Sequence, residues 1–193
     1  MHTPRILFIG GHDPSGGAGL QADIETATAF DCRAMSLVTC LTAQDTHNVH
    51  TVYPQNLADF TQQADILLAD IQPDAIKIGL LGDAEIASSI AEYLRKLKVP
   101  VIIDPVLAAG GGTPLASEML LENIRSELLP LTMLLTPNRA EARRLAQQNT
   151  IDAAAQNLLD IGCQHVLITG ADEATTGQVR NTLYSADQQH DFD

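Results

Sequence analysis

Gly10-Gly11-His12-Asp13-Pro14-Ser15-Gly16-Gly17-Ala18-Gly19 stands between an apolar run, Ile6-Leu7-Phe8-Ile9, and a stretch of helical spacing from Leu20 to Phe30. Glycines at such a junction let the backbone approach a ligand closely. The start of the following helix offers N–H donors to an anion. The stretch is not a phosphate-cradling Walker loop. Gly11 and Gly16 have its spacing, but Gly17-Ala18 replaces the Lys and the Ser or Thr. Gly17-Ala18-Gly19 with Ala22 matches a looser dinucleotide fingerprint, yet it begins seven residues past Gly10 rather than directly after the strand. A long strand-to-helix turn accounts for the same glycines without any ligand.

Three further constellations carry chemistry. Asp104-Pro105-Val106, followed by Gly110-Gly111-Gly112, puts a carboxylate where a strand ends. Such an Asp can hold Mg²⁺ or its water, and it can equally be a turn that leaves the sheet. Asn138 and Glu141 in Thr136-Pro137-Asn138-Arg139-Ala140-Glu141 have the spacing of a helix capping box. The same geometry aims both side chains at a hydrated Mg²⁺, so the two readings are compatible. Gln44 follows a strand and offers an amide donor and acceptor side by side, which suits an aminopyrimidine edge. His47 and His50 have a metal-like spacing but no evident third ligand, and read as solvated loop residues.

The elements that must position these residues alternate along the chain. Strands are predicted at 6–9, 35–41, 75–78, 101–103, 133–135 and 165–168. Helices are predicted at 20–30, 57–71, 84–97, 117–128, 138–147 and 153–161. The strands are too apolar for a wet face, which predicts a parallel sheet with helices on both sides. Ligands of such sheets bind at the carboxyl ends of the strands. Those ends read Gly10 to Asp13, Thr42 to Asp45, Gly79-Leu80, Asp104 to Val106, Thr136 to Asn138 and Thr169-Gly170.

Composition narrows the class. At 193 residues the chain is long enough for one domain that buries about 70% of its unfolded surface without staples. A net charge of −13 and 4% aromatic residues argue against nucleic acid and anionic membrane surfaces. Cys32, Cys40 and Cys163 are widely spaced and read as reduced thiols. No run of about 18 apolar residues and no leader pattern is evident, so a soluble, cytoplasmic protein is expected.

Taken together, the segments resemble the hydroxymethylpyrimidine/phosphomethylpyrimidine kinases of thiamine biosynthesis, within the ribokinase-like superfamily. The resemblance rests on 13–23, Ala43-Gln44-Asp45-Thr46, Lys77-Ile78-Gly79-Leu80-Leu81, Asp104-Pro105-Val106 and Thr136-Pro137-Asn138 with Glu141. The first stretch is specific, whereas the others are shared with pyridoxal and hydroxyethylthiazole kinases. The resemblance implies a three-layer α/β/α fold with a mostly parallel sheet, and transfer of the γ-phosphoryl group of ATP with Mg²⁺. The acceptor would be 4-amino-5-hydroxymethyl-2-methylpyrimidine, then its monophosphate. By position, Gln44 would read the pyrimidine edge, Gly11 and Asp23 would lie beside the ring, and Leu80 and Val106 would pack on it. Asp104, Asn138 and Glu141 would organise Mg²⁺ and the ATP phosphates, with Asp104 and Glu141 nearest the metal. Thr169 and Gly170 would line the nucleotide side. A homodimer is the expected assembly.

The family departs from this sequence at three points. It often has Met at Leu80, an exchange that packing tolerates, and Lys at Thr169. It also carries a late Gly-x-Gly-Cys loop that opens a helix and serves as an anion hole. No such stretch follows Gly170; the later glycine is Gly177, and the later acids are Asp172, Glu173, Asp187, Asp191 and Asp193. Residues 177–185 read as one strand and the last residues as half of a hairpin. The expectation is therefore a single kinase domain over 1–193 that stops short of its catalytic C-terminal segment and is nearly inactive. Three rivals stand beside it: a pyridoxal-type kinase, a non-catalytic pyrimidine-binding regulator, and a Rossmann oxidoreductase.

Overall fold

A computed structural model describes residues 2–171 and 179–192. Its strands are β1 (Arg5–His12), β2 (Arg33–Gln44), β3 (Val49–Pro54), β4 (Ala75–Ile78), β5 (Val101–Ile103), β6 (Leu134–Leu135), β7 (His165–Ile168), β8 (Asn181–Ser185) and β9 (Gln189–Phe192). The helices are α1 (Gly19–Ala29), α2 (Leu57–Asp70), α3 (Ala84–Leu97), α4 (Glu118–Asn123), α5 (Arg139–Ala146) and α6 (Ile151–Ile161). One sheet runs in the order β3-β2-β1-β4-β5-β6-β7-β8-β9. The six strands from β2 to β7 in that order are parallel, and β3, β8 and β9 are antiparallel additions at the edges.

Period-two alternation sends the strand side chains to two faces. Leu7, Ile9, Leu37, Ile76, Ile78, Ile103, Leu135 and Val166 join one large buried cluster with residues of α2 to α6. α3 shows why a helix forms there. Asp83 accepts from the Glu85 and Ile86 N–H groups, and Ile86, Ala87, Ile90, Ala91 and Leu94 form one buried stripe. Each large side chain buried this way contributes about 1.5–3 kcal/mol. α1 packs on the opposite face, where Leu20 and Ala27 meet Phe8.

Several sequence expectations need correction. Alternation turns Ile102, Leu134 and Leu167 toward the α1 side, where they stay partly exposed, so the sheet does have a partly wet face. β3 was not expected: its burial pattern is mostly exposed, and Tyr53 is exposed, so apolar periodicity gives no signal. His50 belongs to this strand rather than to a loop. The helix expected over 117–128 is α-helical only to Asn123. A π-helical turn (Ile124–Leu128) and a 3₁₀ turn (Leu129–Leu131) follow, because Pro130 supplies no N–H to continue the ladder. The terminal strand is not solitary. β8 pairs with β7 on one side and β9 on the other, and β9, exposed at every position, is the true edge. Gly177 and Gln178 of the expected strand lie outside the described residues, and Val179 and Arg180 are not strand.

Candidate active site

The strand order reverses at β1, which has β2 on one side and β4 on the other. Ligands of open α/β sheets bind outside the carboxyl ends of the strands at such a point. A cavity of about 210 Å³ lies there, lined by the ends of β1, β2, β4 and β5 and the start of α1. It suits a single small ring, since pockets for drug-sized ligands run to about 300–1,000 Å³.

All five residues expected to hold substrate, Gly11, Asp23, Gln44, Leu80 and Val106, line this cavity, and so does Asp104. Gly11 leaves little room for a side chain: a Cβ would come 3.0 Å from Cys40 Sγ and 3.1 Å from the Leu80 side chain, so both would have to give way. Gly19 is tied more tightly still. Its φ is +59°, and a Cβ would stand 2.5 Å from the Gly11 carbonyl oxygen. The glycine-rich stretch between them is organised by Asp13, which is 5% exposed. Its Oδ1 accepts from the Ser15 N–H at 2.7 Å, and its Oδ2 accepts from the Ser15 hydroxyl at 3.0 Å and the Ala18 N–H at 2.9 Å.

Sequence reasoning assigned no role to Asp13, Thr42 or Lys77. Lys77 Nζ lies 3.1 Å from both Asp23 oxygens and 3.8 Å from Asp104 Oδ2. Among the described residues it is the one Lys or Arg that lines the cavity. The pattern Ala75-Ile76-Lys77-Ile78 contained the signal, because alternation sends Lys77 away from the large core and toward α1, which carries Asp23. Gly79 leaves room for the ammonium, since a Cβ would sit 3.2 Å from Nζ. Burial raises the Asp104 pKa; Lys77 opposes that rise and Asp23 adds to it. The glycines at 110–112 form a turn above the cavity, closed by a Gly112 N–H bond to the Ala109 carbonyl at 2.7 Å. Asn48 clasps that turn through mutual bonds with Thr113 at 3.0 and 3.1 Å.

Of the residues expected on the nucleotide side, Asp104 lines the cavity, whereas Asn138, Glu141, Thr169 and Gly170 gather separately. Asn138 caps α5, accepting from the Glu141 N–H at 2.8 Å, while Glu141 Oε2 accepts from the Asn138 N–H at 2.9 Å. The capping box is thus present. Glu141 Oε1 also accepts from the Leu107 N–H at 3.2 Å, which ties α5 to the segment that follows Asp104. The Thr169 N–H donates to the Pro137 carbonyl at 2.9 Å, and the Gly170 N–H to Asn181 Oδ1 at 3.2 Å. Asp172, Glu173 and Gly177 lie outside the described residues. Among the described residues no three His, Cys, Asp or Glu side chains form a metal-holding group, and no helix is long and apolar enough to cross a membrane.

The family model described as phosphomethylpyrimidine kinase matches residues 13–193. The chain belongs to this family. It is 40% identical over 182 residues to the hydroxymethylpyrimidine/phosphomethylpyrimidine kinase of Synechococcus elongatus, covering 92% of this chain and 68% of that protein. The crystal structure of phosphomethylpyrimidine kinase from Clostridium difficile superposes with a TM-score of 0.86 at 30% identity, over 99% of this chain and 84% of that one. Pyridoxal kinase from Staphylococcus aureus, solved with AMP-PCP and pyridoxal, gives a TM-score of 0.88 at 29% identity, over 99% and 71%. Family membership makes the chain a kinase of the ribokinase-like type, and the three-layer architecture agrees.

Proposed function

We propose that this protein transfers the γ-phosphoryl group of ATP to 4-amino-5-hydroxymethyl-2-methylpyrimidine and to its monophosphate, a step of thiamine biosynthesis. The observation that carries the reading is the convergence of Gly11, Asp23, Gln44, Leu80 and Val106 on one small cavity at the switch point of a family-matched sheet. In the reaction the acceptor oxygen attacks the γ-phosphorus. An O–P bond forms, the bond to the ADP oxygen breaks, and the attacking hydroxyl gives up its proton. The chain's part is to fix the ring between Leu80 and Val106, to read its edge with Gln44, and to exclude water beneath the glycine turn.

Asn138, Glu141, Thr169 and Gly170 form the nucleotide side, where backbone linkage between the ends of β6 and β7 builds one rim. Mg²⁺ needs one or two carboxylates beside the phosphates rather than a protein cage. Asp104, with a 43% exposed side chain, would hold its hydration shell. Glu141, both of whose oxygens already accept backbone N–H groups, would act mainly by placing α5. The ion would supply charge neutralisation on the phosphates. A cytoplasmic homodimer belongs to the same reading.

Of the pocket's three acids, Asp13 is committed to its loop and Asp23 to Lys77, while Asp104 stands 3.8 Å from the same ammonium and faces the Mg²⁺ side. No Gly-x-Gly-Cys stretch follows Gly170 within the 193 residues. The test is an assay of the 193-residue chain with labelled ATP and Mg²⁺ against the alcohol, its monophosphate and pyridoxal. Labelling confined to the pyrimidines supports the reading. Preferential labelling of pyridoxal overturns the substrate.

A further inference from the structure

Thr42 and Gln44 stand two residues apart near the end of β2, so their side chains share a face. Thr42 Oγ1 lies 2.9 Å from the His12 carbonyl oxygen and 2.8 Å from Gln44 Oε1. A hydroxyl carries one proton and two lone pairs. Two acceptors facing one proton cannot both be served. The His12 oxygen has no alternative, because a carbonyl only accepts. The amide does have one, since a half-turn about its last bond exchanges oxygen for nitrogen at almost no steric cost. The network closes when His12 takes the hydroxyl proton and Gln44 donates an N–H to the hydroxyl lone pair. The amide oxygen then faces away from Thr42.

We propose that Thr42 is a positioning residue that fixes the order of donor and acceptor along the Gln44 amide, and so sets the preference for an aminopyrimidine over its 4-oxo counterpart. The inference rests on the reading that Gln44 meets the ring edge. An aminopyrimidine presents an exocyclic N–H donor beside a ring-nitrogen acceptor. A fixed amide matches that order with two bonds. The 4-oxo analogue presents the reverse, a carbonyl acceptor beside a ring N–H, at the same size and shape. A freely turning amide would accept either ring, whereas one held by Thr42 must break its bond to the hydroxyl to accept the second. A site built to pair a polar edge rejects the mismatched analogue because its own groups are left without partners.

The experiment is calorimetric titration of the 193-residue chain with hydroxymethylpyrimidine and with its 4-oxo analogue, in the wild type, Thr42→Val, Thr42→Ser and Gln44→Ala. Thr42→Val keeps the shape and removes the hydroxyl, and is expected to lower the amino-to-oxo affinity ratio roughly tenfold. Thr42→Ser is expected to stay within about threefold of the wild-type ratio. A general disturbance of the pocket would weaken both ligands alike and leave the ratio unmoved. Should Thr42→Val melt below the titration temperature, Thr42→Ala gives the same readout. An unchanged ratio in the variant that lacks the hydroxyl, with the ratio lost in Gln44→Ala, overturns the role of Thr42 and leaves Gln44 as the reader. An unchanged ratio in Gln44→Ala overturns the reading of Gln44, and the role of Thr42 with it.

Discussion

The two ends of the active rim are built differently. At the pyrimidine end, side chains do the work: Asp13 gathers three donors, Lys77 joins Asp23 and Asp104, and Thr42 meets Gln44. At the end proposed for the nucleotide every bond has a backbone N–H as its donor: Thr169 to the Pro137 carbonyl, Gly170 to the Asn181 side chain, and Asn138 and Glu141 to each other's side chains within the cap. Side-chain networks specify one ligand shape, because each member has a fixed donor or acceptor role. At the other end these bonds spend the N–H groups inside the protein, so they fix the course of the chain rather than meet a ligand themselves. Glu141 joins the two ends through the Leu107 N–H.

The sharpest way to break the contrast is Lys77→Met. Lys77 and Asp23 are 20% and 18% exposed, so the pair is poorly screened, and removal leaves two carboxylates facing each other across the cavity. The expected loss is about 3 kcal/mol of stability, measured by urea unfolding, together with loss of pyrimidine binding. Retained stability would show that Asp23 and Asp104 do not depend on Lys77. Gly19→Ala comes next, since its Cβ would meet the Gly11 carbonyl at positive φ. It should cost about 2 kcal/mol and reduce ligand affinity more than Gly170→Ala does, although the latter also meets a backbone carbonyl, that of Arg180. Equal effects on pyrimidine affinity would erase the distinction between the two ends.

The sequence showed much of this architecture for a physical reason. β4, β5, β7 and α3 have the bounds expected from apolar periodicity, because each is buried against the large core. Gln44, the last residue of β2, and Leu80 and Val106, just past β4 and β5, could be placed on the cavity because a parallel sheet gathers its ligands at the carboxyl ends of its strands. β3 was not, since it is an exposed antiparallel edge whose residues need no apolar pattern. The β8–β9 hairpin was read as one half for the same reason. Lys77 and Thr42 stood in quoted segments but drew no role, because a residue's partners across the fold cannot be read from its spacing along the chain.

Smaller effects sharpen the comparison. Glu141→Ala should cost about 1 kcal/mol through the lost cap, whereas Glu141→Gln should keep most of that stability, since Gln completes the box. If Glu141 also places the Mg²⁺ side, Glu141→Gln raises the Mg²⁺ concentration needed for nucleotide binding; an unaltered requirement confines it to capping. The last effect is silent at neutral pH and shows only in the alkaline range. Burial pushes the Cys163 thiol, which faces the Leu129 carbonyl, up to about 12. A raised folded-state value favours the protonated thiol, so its contribution to stability is complete below pH 9.0 and fades as pH rises toward 12. Cys163→Ala should flatten the alkaline limb of stability against pH, and an identical limb in both proteins would assign the loss to other groups.

The central claim is that Gln44 reads an aminopyrimidine in the cavity beside β1 and β4. Calorimetric titration of the wild type and Gln44→Ala with hydroxymethylpyrimidine tests it most directly. The account predicts saturable 1:1 binding to the wild type and binding weaker by about 1–3 kcal/mol in the variant, with folding intact by circular dichroism. Equal affinity in the two proteins would contradict it.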